Sequence, residues 1–151
     1  MTARKTRFEG LADVLRVGLG TRLAQDAESL LDMVAEDCVF EFPYAPPGFV
    51  SRLEGRDALE RYLLALPDLI RIDSFFDLRV SEMADPSKVV LEFRGSGEGR
   101  TGAPYDQKWL SVIETKNGKI VHYADYWDPR IVLAAAGDAV PEPKGGGFTR
   151  A

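Results

Sequence analysis

Asp125 lies in the run Tyr123-Ala124-Asp125-Tyr126-Trp127, a carboxylate among aromatic and small residues. A carboxyl in such a strand needs a partner or takes a raised pKa. One so shifted can pass a proton near neutral pH as acid or base. Arg94 is the basic residue expected to tune or orient it. Glu92 is two positions from Arg94, and residues two apart on a strand share a face. Arg94 therefore either meets Asp125 in a pocket or lies on the outer face with Glu92. A structural Asp125, satisfied by a buried arginine or by backbone N–H groups, is the competing reading.

Other chemistries find less support. One cysteine (Cys38) and one histidine (His122) exclude a disulfide and a Cys/His zinc site within the chain. Cys38 reads as a small buried hydrophobe. Glycines 95, 97, 99 and 102 precede no helix and no Lys-Ser or Lys-Thr pair, so they mark a bend rather than a phosphate loop. The net charge of −5 argues against nucleic acid and against anionic membranes as partners. No stretch of about 18 apolar residues and no signal-like start is present, so a cytoplasmic protein is expected.

The elements that must position Asp125 follow from periodicity. Phe8, Leu11, Leu15, Leu19 and Leu23 form a helical stripe, weakened by Gly18 and Gly20. A short helix fits 27–36 with Asp26 as N-cap, and a third fits 57–66 with Asp57 in the capping role and Pro67 as its stop. A strand is expected over 38–42 and a Pro/Gly-containing loop over 43–54. Strands are expected near 72–83, 88–98, 105–116 and 119–128, then one helical turn after Pro129. Helices followed by antiparallel strands give an α+β domain. Residues 1–7 read as an N-terminal arm, 8–136 as one domain and 137–151 as an irregular tail.

Asn117-Gly118 is a strong hairpin signal. Ideal pairing outward from it puts Lys108, Leu110, Val112, Tyr123, Asp125 and Trp127 on one face. Trp109, Ser111, Ile113, His122, Ala124 and Tyr126 fall on the other. A bulge would shift the register by one and invert the assignment. Both faces are too apolar for water, so one should cover a pocket and the other a second copy of the chain. His122 falls opposite Asp125, which disfavours a Ser/His/Asp triad.

Several segments resemble the nuclear-transport-factor-2-like superfamily, especially its SnoaL-like branch. They are Ala35-Glu36-Asp37 leading to Phe40-Glu41-Phe42-Pro43, Leu53-Glu54-Gly55-Arg56-Asp57, Gly118-Lys119-Ile120 and Asp125-Tyr126-Trp127-Asp128-Pro129. The resemblance covers about residues 8–130. It implies a cone-shaped curved antiparallel sheet wrapped by three N-terminal helices, often dimeric through the outer face. Ketosteroid isomerase-like chemistry is disfavoured, because its three key positions fall on Phe42, Gly18 and near Leu110. That mapping also puts Leu110 on the pocket face. Limonene-epoxide hydrolase-like chemistry would use Asp125, Arg94 and Glu92, but its water-holding positions fall on Phe40 and Phe42. Phenazine-biosynthesis proteins and polyketide cyclases of the family share an acidic residue at or near Asp125.

The resulting expectation is a cofactor-independent enzyme doing acid–base chemistry of isomerase, cyclase or dehydratase type on a small apolar molecule. Asp125 and Arg94 are the catalytic candidates. Tyr123, Trp127, Leu110, Val112, Phe42, Tyr44, Tyr62 and Phe76 are the ligand-binding candidates. The alternatives are an epoxide hydrolase variant and a non-catalytic ligand-binding or dimeric scaffold protein. A ligand pocket of about 300 Å³ or more is expected around Asp125.

Overall fold

Asn117 and Gly118 both take positive φ (52° and 78°) and set Lys116 opposite Lys119, the geometry that makes Asn-Gly a hairpin turn. The computed structural model describes residues 7–140 and 143–151. In chain order the elements are β1 (Arg7–Phe8), α1 (Leu11–Leu19), α2 (Leu30–Met33), β2 (Val34–Glu41), β3 (Val50–Glu54), α3 (Arg56–Ala65), β4 (Ile70–Glu82), β5 (Lys88–Gly99), β6 (Gln107–Lys116), β7 (Lys119–Trp127), α4 (Pro129–Ala136) and β8 (Phe148–Arg150). The strands form one curved sheet in the order β1-β4-β5-β6-β7-β2-β3-β8. Every neighbouring pair is antiparallel except β2 with β7. This is the expected α+β cone, with helices packed on one face. No helix among the described residues is long and apolar enough to cross a membrane.

The four long C-terminal strands fall within two residues of the expected bounds. The N-terminal half differs more. Phe8 leaves the helical stripe and pairs with Phe75 at the sheet edge, so β1 begins inside the expected arm; the rest of that arm, residues 1–6, lies outside the described residues. The second helix shrinks to one turn, because the β-branched Val34 starts a strand instead. Its cap is Ser29, in a reciprocal capping box with Asp32, not Asp26. Gly55, not Asp57, precedes α3, and its φ of 91° is a conformation that favours glycine. Gly18 stays inside α1, where a Cβ would come within 2.7 Å of Leu91 on β5. The glycine that weakens the helix is what lets it lie close on the sheet.

Two strands at one end of the sheet were hidden by turn-forming residues. β3 lies in the stretch expected as loop, and β8 in the stretch expected as irregular tail. Pro141 and Glu142 of that tail lie outside the described residues. β8 pairs with β3, and Ala151 continues the contact: its N–H donates to the Phe49 carbonyl, and its own carbonyl accepts from Gly48. The C-terminal segment thus fastens the loop between β2 and β3. Where β5 bends, Gly99 sits so close to Ala135 that a Cβ would lie 2.3 Å from it. That contact seats α4 across the open end of the sheet.

Candidate active site

The hairpin departs from ideal pairing one step from its turn. Thr115 faces Ile120, but Glu114 faces His122, leaving Val121 as the extra residue of a bulge. From there inward Ile113 faces Tyr123, Ser111 faces Asp125 and Trp109 faces Trp127. The inner face therefore carries Trp109, Ser111, Ile113, Tyr123, Asp125 and Trp127. The expected inner positions Leu110 and Val112 move to the outer face, with Lys108. Leu110 is 39% exposed there.

A cavity of about 120 Å³ lies between this face and the helices. Residues from α1, α3, α4, β2, β4, β5, β6, β7 and the β2–β3 loop line it, and ten of the lining residues carry aromatic rings. Asp125 is the only Asp, Glu, Lys, Arg or His among the lining residues. The volume is below the expected 300 Å³. It is nearer the engineered cavity of about 150 Å³ that holds a benzene ring. Of the ligand-binding candidates, Tyr123, Trp127, Phe42 and Tyr62 line it. So do Phe40, Phe49, Phe75, Phe93, Tyr105 and Trp109, which are not among the ligand-binding candidates read from the sequence.

Asp125 is deep in the molecule but keeps open surface toward the cavity. Ser111 Oγ donates to its Oδ1 at 2.9 Å. No other side chain or backbone group donates to this carboxyl among the described residues. Burial pushes its pKa up to about 7, and the Ser111 hydrogen bond only partly offsets the rise. The carboxyl is thus divided between its two protonation states near neutral pH, which suits it to donate or accept a proton.

Three tyrosines surround this group electrostatically. Burial, then neighbouring Tyr105 and the Asp125 charge, push the Tyr62 hydroxyl far above its ordinary range. Tyr105 is raised to about 12, chiefly by burial, and Tyr123 is raised by burial and then by Asp125. All three stay protonated at neutral pH and can donate to a ligand oxygen. Gln107, itself buried, ties this end together. Its Nε2 donates to Tyr105 Oη (3.4 Å) and to the Asp128 carbonyl (3.0 Å), and its Oε1 accepts from the N–H groups of Lys108 and Asp128. Phe40 stacks on Tyr123 with centroids 4.7 Å apart, and Phe42 stacks on Tyr62 at 5.3 Å.

Arg94 does not reach Asp125. It pairs with Lys108 and Phe76 in the sheet register and points to the outer face, 3.9 Å from Asp77. Glu92 shares that face, so the sheet separates both from Asp125 and the Asp125/Arg94/Glu92 arrangement of an epoxide hydrolase does not form. Phe76 is also outer. Ile70 and Ile72 point inward, but a register shift between Ile72 and Ser74 turns Phe75 inward instead. Phe76 packs under the Arg7 guanidinium, 5.5 Å from its ring centroid. Tyr44 is 59% exposed and meets Tyr126 edge-on outside the sheet. His122 is outer as well, 2.9 Å from Glu41. Cys38 is buried, and burial pushes its thiol up to about 11. No group of three or more His, Cys, Asp or Glu side chains is placed to hold a metal among the described residues.

Comparison with known proteins agrees with this architecture. The SnoaL-like domain model matches residues 21–123. The uncharacterized protein YesE of Bacillus subtilis is 41% identical over 131 residues, covering 86% of this chain and 89% of YesE. A crystal structure from B. subtilis, provisionally named an isomerase, is 39% identical with a TM-score of 0.73, covering 87% of this chain and 95% of that one. A provisionally named polyketide cyclase from Xanthomonas campestris shares the fold at 18% identity and a TM-score of 0.63, covering 83% and 96%. By its match to that model and its identity to YesE, the chain belongs to the SnoaL-like domain family, on the nuclear-transport-factor-2-like fold.

Proposed function

We propose that this protein is a cofactor-independent enzyme in which Asp125 moves a proton on a small, largely apolar substrate. The observation that carries the reading is one carboxyl as the sole charged side chain among the described residues lining an aromatic cavity, where burial raises its pKa toward neutral. Ser111 orients the carboxyl. A protonated tyrosine beside it would hydrogen-bond a substrate oxygen as charge develops there. Aromatic walls exclude water and fix a ring or branched chain. The volume favours a substrate of about one ring, which suits isomerisation or dehydration better than closure of a large polycyclic skeleton.

The test is a panel of small cyclic ketones and hydroxy-ketones in heavy water, followed by NMR for deuterium uptake and product. Enzyme-dependent exchange that Asp125→Asn lowers by at least a hundredfold supports the reading. Turnover unchanged in Asp125→Asn would sink it.

The small free volume favours one rival, a ligand-binding scaffold without turnover. Saturable binding of panel members with no exchange or product in any of them would select it. We also propose that the outer face meets a second copy. Tyr44 and Leu110 are exposed there, flanked by Arg79, Glu92, Arg94 and Lys108, a mixture of signs that a two-fold copy can pair. Sedimentation of wild type against Leu110→Glu tests this; a wild-type monomer would exclude it.

A further inference from the structure

The Asp125 carboxyl is only half satisfied by the protein. Oδ1 accepts from Ser111, and Oδ2 has no donor among the described residues. A carboxyl oxygen that opens onto an apolar cavity without a donor is poorly satisfied, and Asp125 lines a cavity rather than packed core. The groups facing it are Ser111 and Trp109 from β6, Tyr123 and Trp127 from β7, Tyr62 from α3 and Tyr105 ahead of β6. β2, β4, β5, α1 and α4 contribute only Phe, Leu, Ile, Val and Ala to the lining. Among the described residues no Lys, Arg or His lines the cavity; Arg94 and Lys108 lie across the sheet.

We infer that the cavity takes a small protonated amine, whose N–H donates to Asp125 Oδ2 and whose alkyl groups rest on the surrounding aromatic rings. The inference rests on Asp125 being the working group of the pocket, and it goes beyond the proton-transfer reading by giving the ionised form of that group a cationic ligand of its own. Three features favour a cation over a neutral or anionic ligand. The carboxylate supplies the counter-charge in a space where water cannot screen it. Aromatic faces attract an ammonium through their quadrupoles, and a carboxylate with aromatic walls offers both contacts at once. The net charge of −5 draws cations toward the molecule and repels anions. The free volume of about 120 Å³ limits the ligand to roughly the bulk of a trimethylammonium group or a small cyclic amine.

The experiment uses the full chain and three probes of similar shape. Trimethylammonium carries charge and an N–H, tetramethylammonium carries charge alone, and tert-butanol is neutral. Affinities are measured by calorimetry or ligand-observed NMR at pH 5.5 and 8. Trimethylammonium should bind at least tenfold more tightly at pH 8, where Asp125 is ionised, and more tightly than either other probe. Asp125→Asn should lose at least tenfold of that affinity. The carboxyl carbon of Asp125, followed by NMR, should titrate at lower pH when trimethylammonium is bound; this readout needs no variant.

Trimethylammonium affinity independent of pH, or undiminished in Asp125→Asn, overturns the inference. Tighter binding of tert-butanol, favoured at low pH and dependent on Asp125, overturns it while leaving Asp125 as the working group for neutral substrates. A normal Asp125 titration with no binding of any probe overturns both this inference and the acid–base reading.

Discussion

Ser111 and Asp125 face each other across β6 and β7, hydroxyl to carboxylate at 2.9 Å, among the aromatic residues of the inner face. The serine stabilises the charged form, yet burial outweighs it. Ser111→Ala should therefore move the Asp125 titration further up, by about one pH unit. Carbon-13 NMR of the carboxyl reads this directly. A downward move would show that the serine does not serve the ionised form.

Asp125 should cost stability as pH rises. Its folded pKa of about 7 exceeds the ordinary value of 3.8, so between those limits the folded state holds more protons than the unfolded one. Stability then falls with rising pH across that window and levels off above it. The loss is at most about 4 kcal/mol, from a shift of about three units. Asp125→Asn removes the ionising group. It should match wild type near pH 4 and exceed it in urea melts at pH 8. Parallel pH curves for the two proteins would contradict this.

Phe40→Ala should destabilise the fold by about 3–5 kcal/mol, because Phe40 is almost fully buried and stacked on Tyr123. Thermal melts check the magnitude. The variant should also hold larger ligands, since the vacated space adjoins the cavity.

Deleting residues 148–151 should loosen one side of the cavity only. Those residues pair with Val50–Leu53 and hydrogen-bond Gly48 and Phe49. Hydrogen exchange should accelerate over 48–53 and stay unchanged in β5 and β6. Uniform acceleration throughout would mean that the segment supports global stability instead.

Changing Gln107 to Leu should disturb the site without touching it. The substitution removes the donor to Tyr105 and strands the N–H groups of Lys108 and Asp128. A stability loss of about 2–3 kcal/mol is expected in denaturant melts.

The architecture was legible because its strongest signals are local. Asn117-Gly118 encodes a turn by backbone sterics, and the strands around it follow from their own composition. Asp125 was legible as an acid among aromatics. Its partner was not. Val121 carries no mark of a bulge, yet that one extra residue exchanges Leu110 and Val112 for Ser111 and Trp109 on the inner face. The same failure recurs in β4, where a shift after Ile72 exchanges Phe76 for Phe75. Arg94 follows Phe93 on β5, and only the register of that strand decides which of the two turns inward. The sequence alone left both faces open to the arginine. β3 and β8 were missed because prolines and glycines mark the chain around them, while their pairing joins residues far apart in sequence.

The parallel contact of β2 with β7 brings Val39 opposite His122, a separation of 83 residues. Such distant pairing is slow to form, because the intervening chain must be ordered first. Phe40 and Phe42 from one side of that seam meet Tyr123, Asp125 and Trp127 from the other only when it closes. During synthesis on the ribosome, β2 emerges well before its partner and must wait with its aromatic residues uncovered. The pocket is therefore among the last features to appear in the maturing chain, and ligand binding reports on molecules that have finished folding rather than on collapsed intermediates.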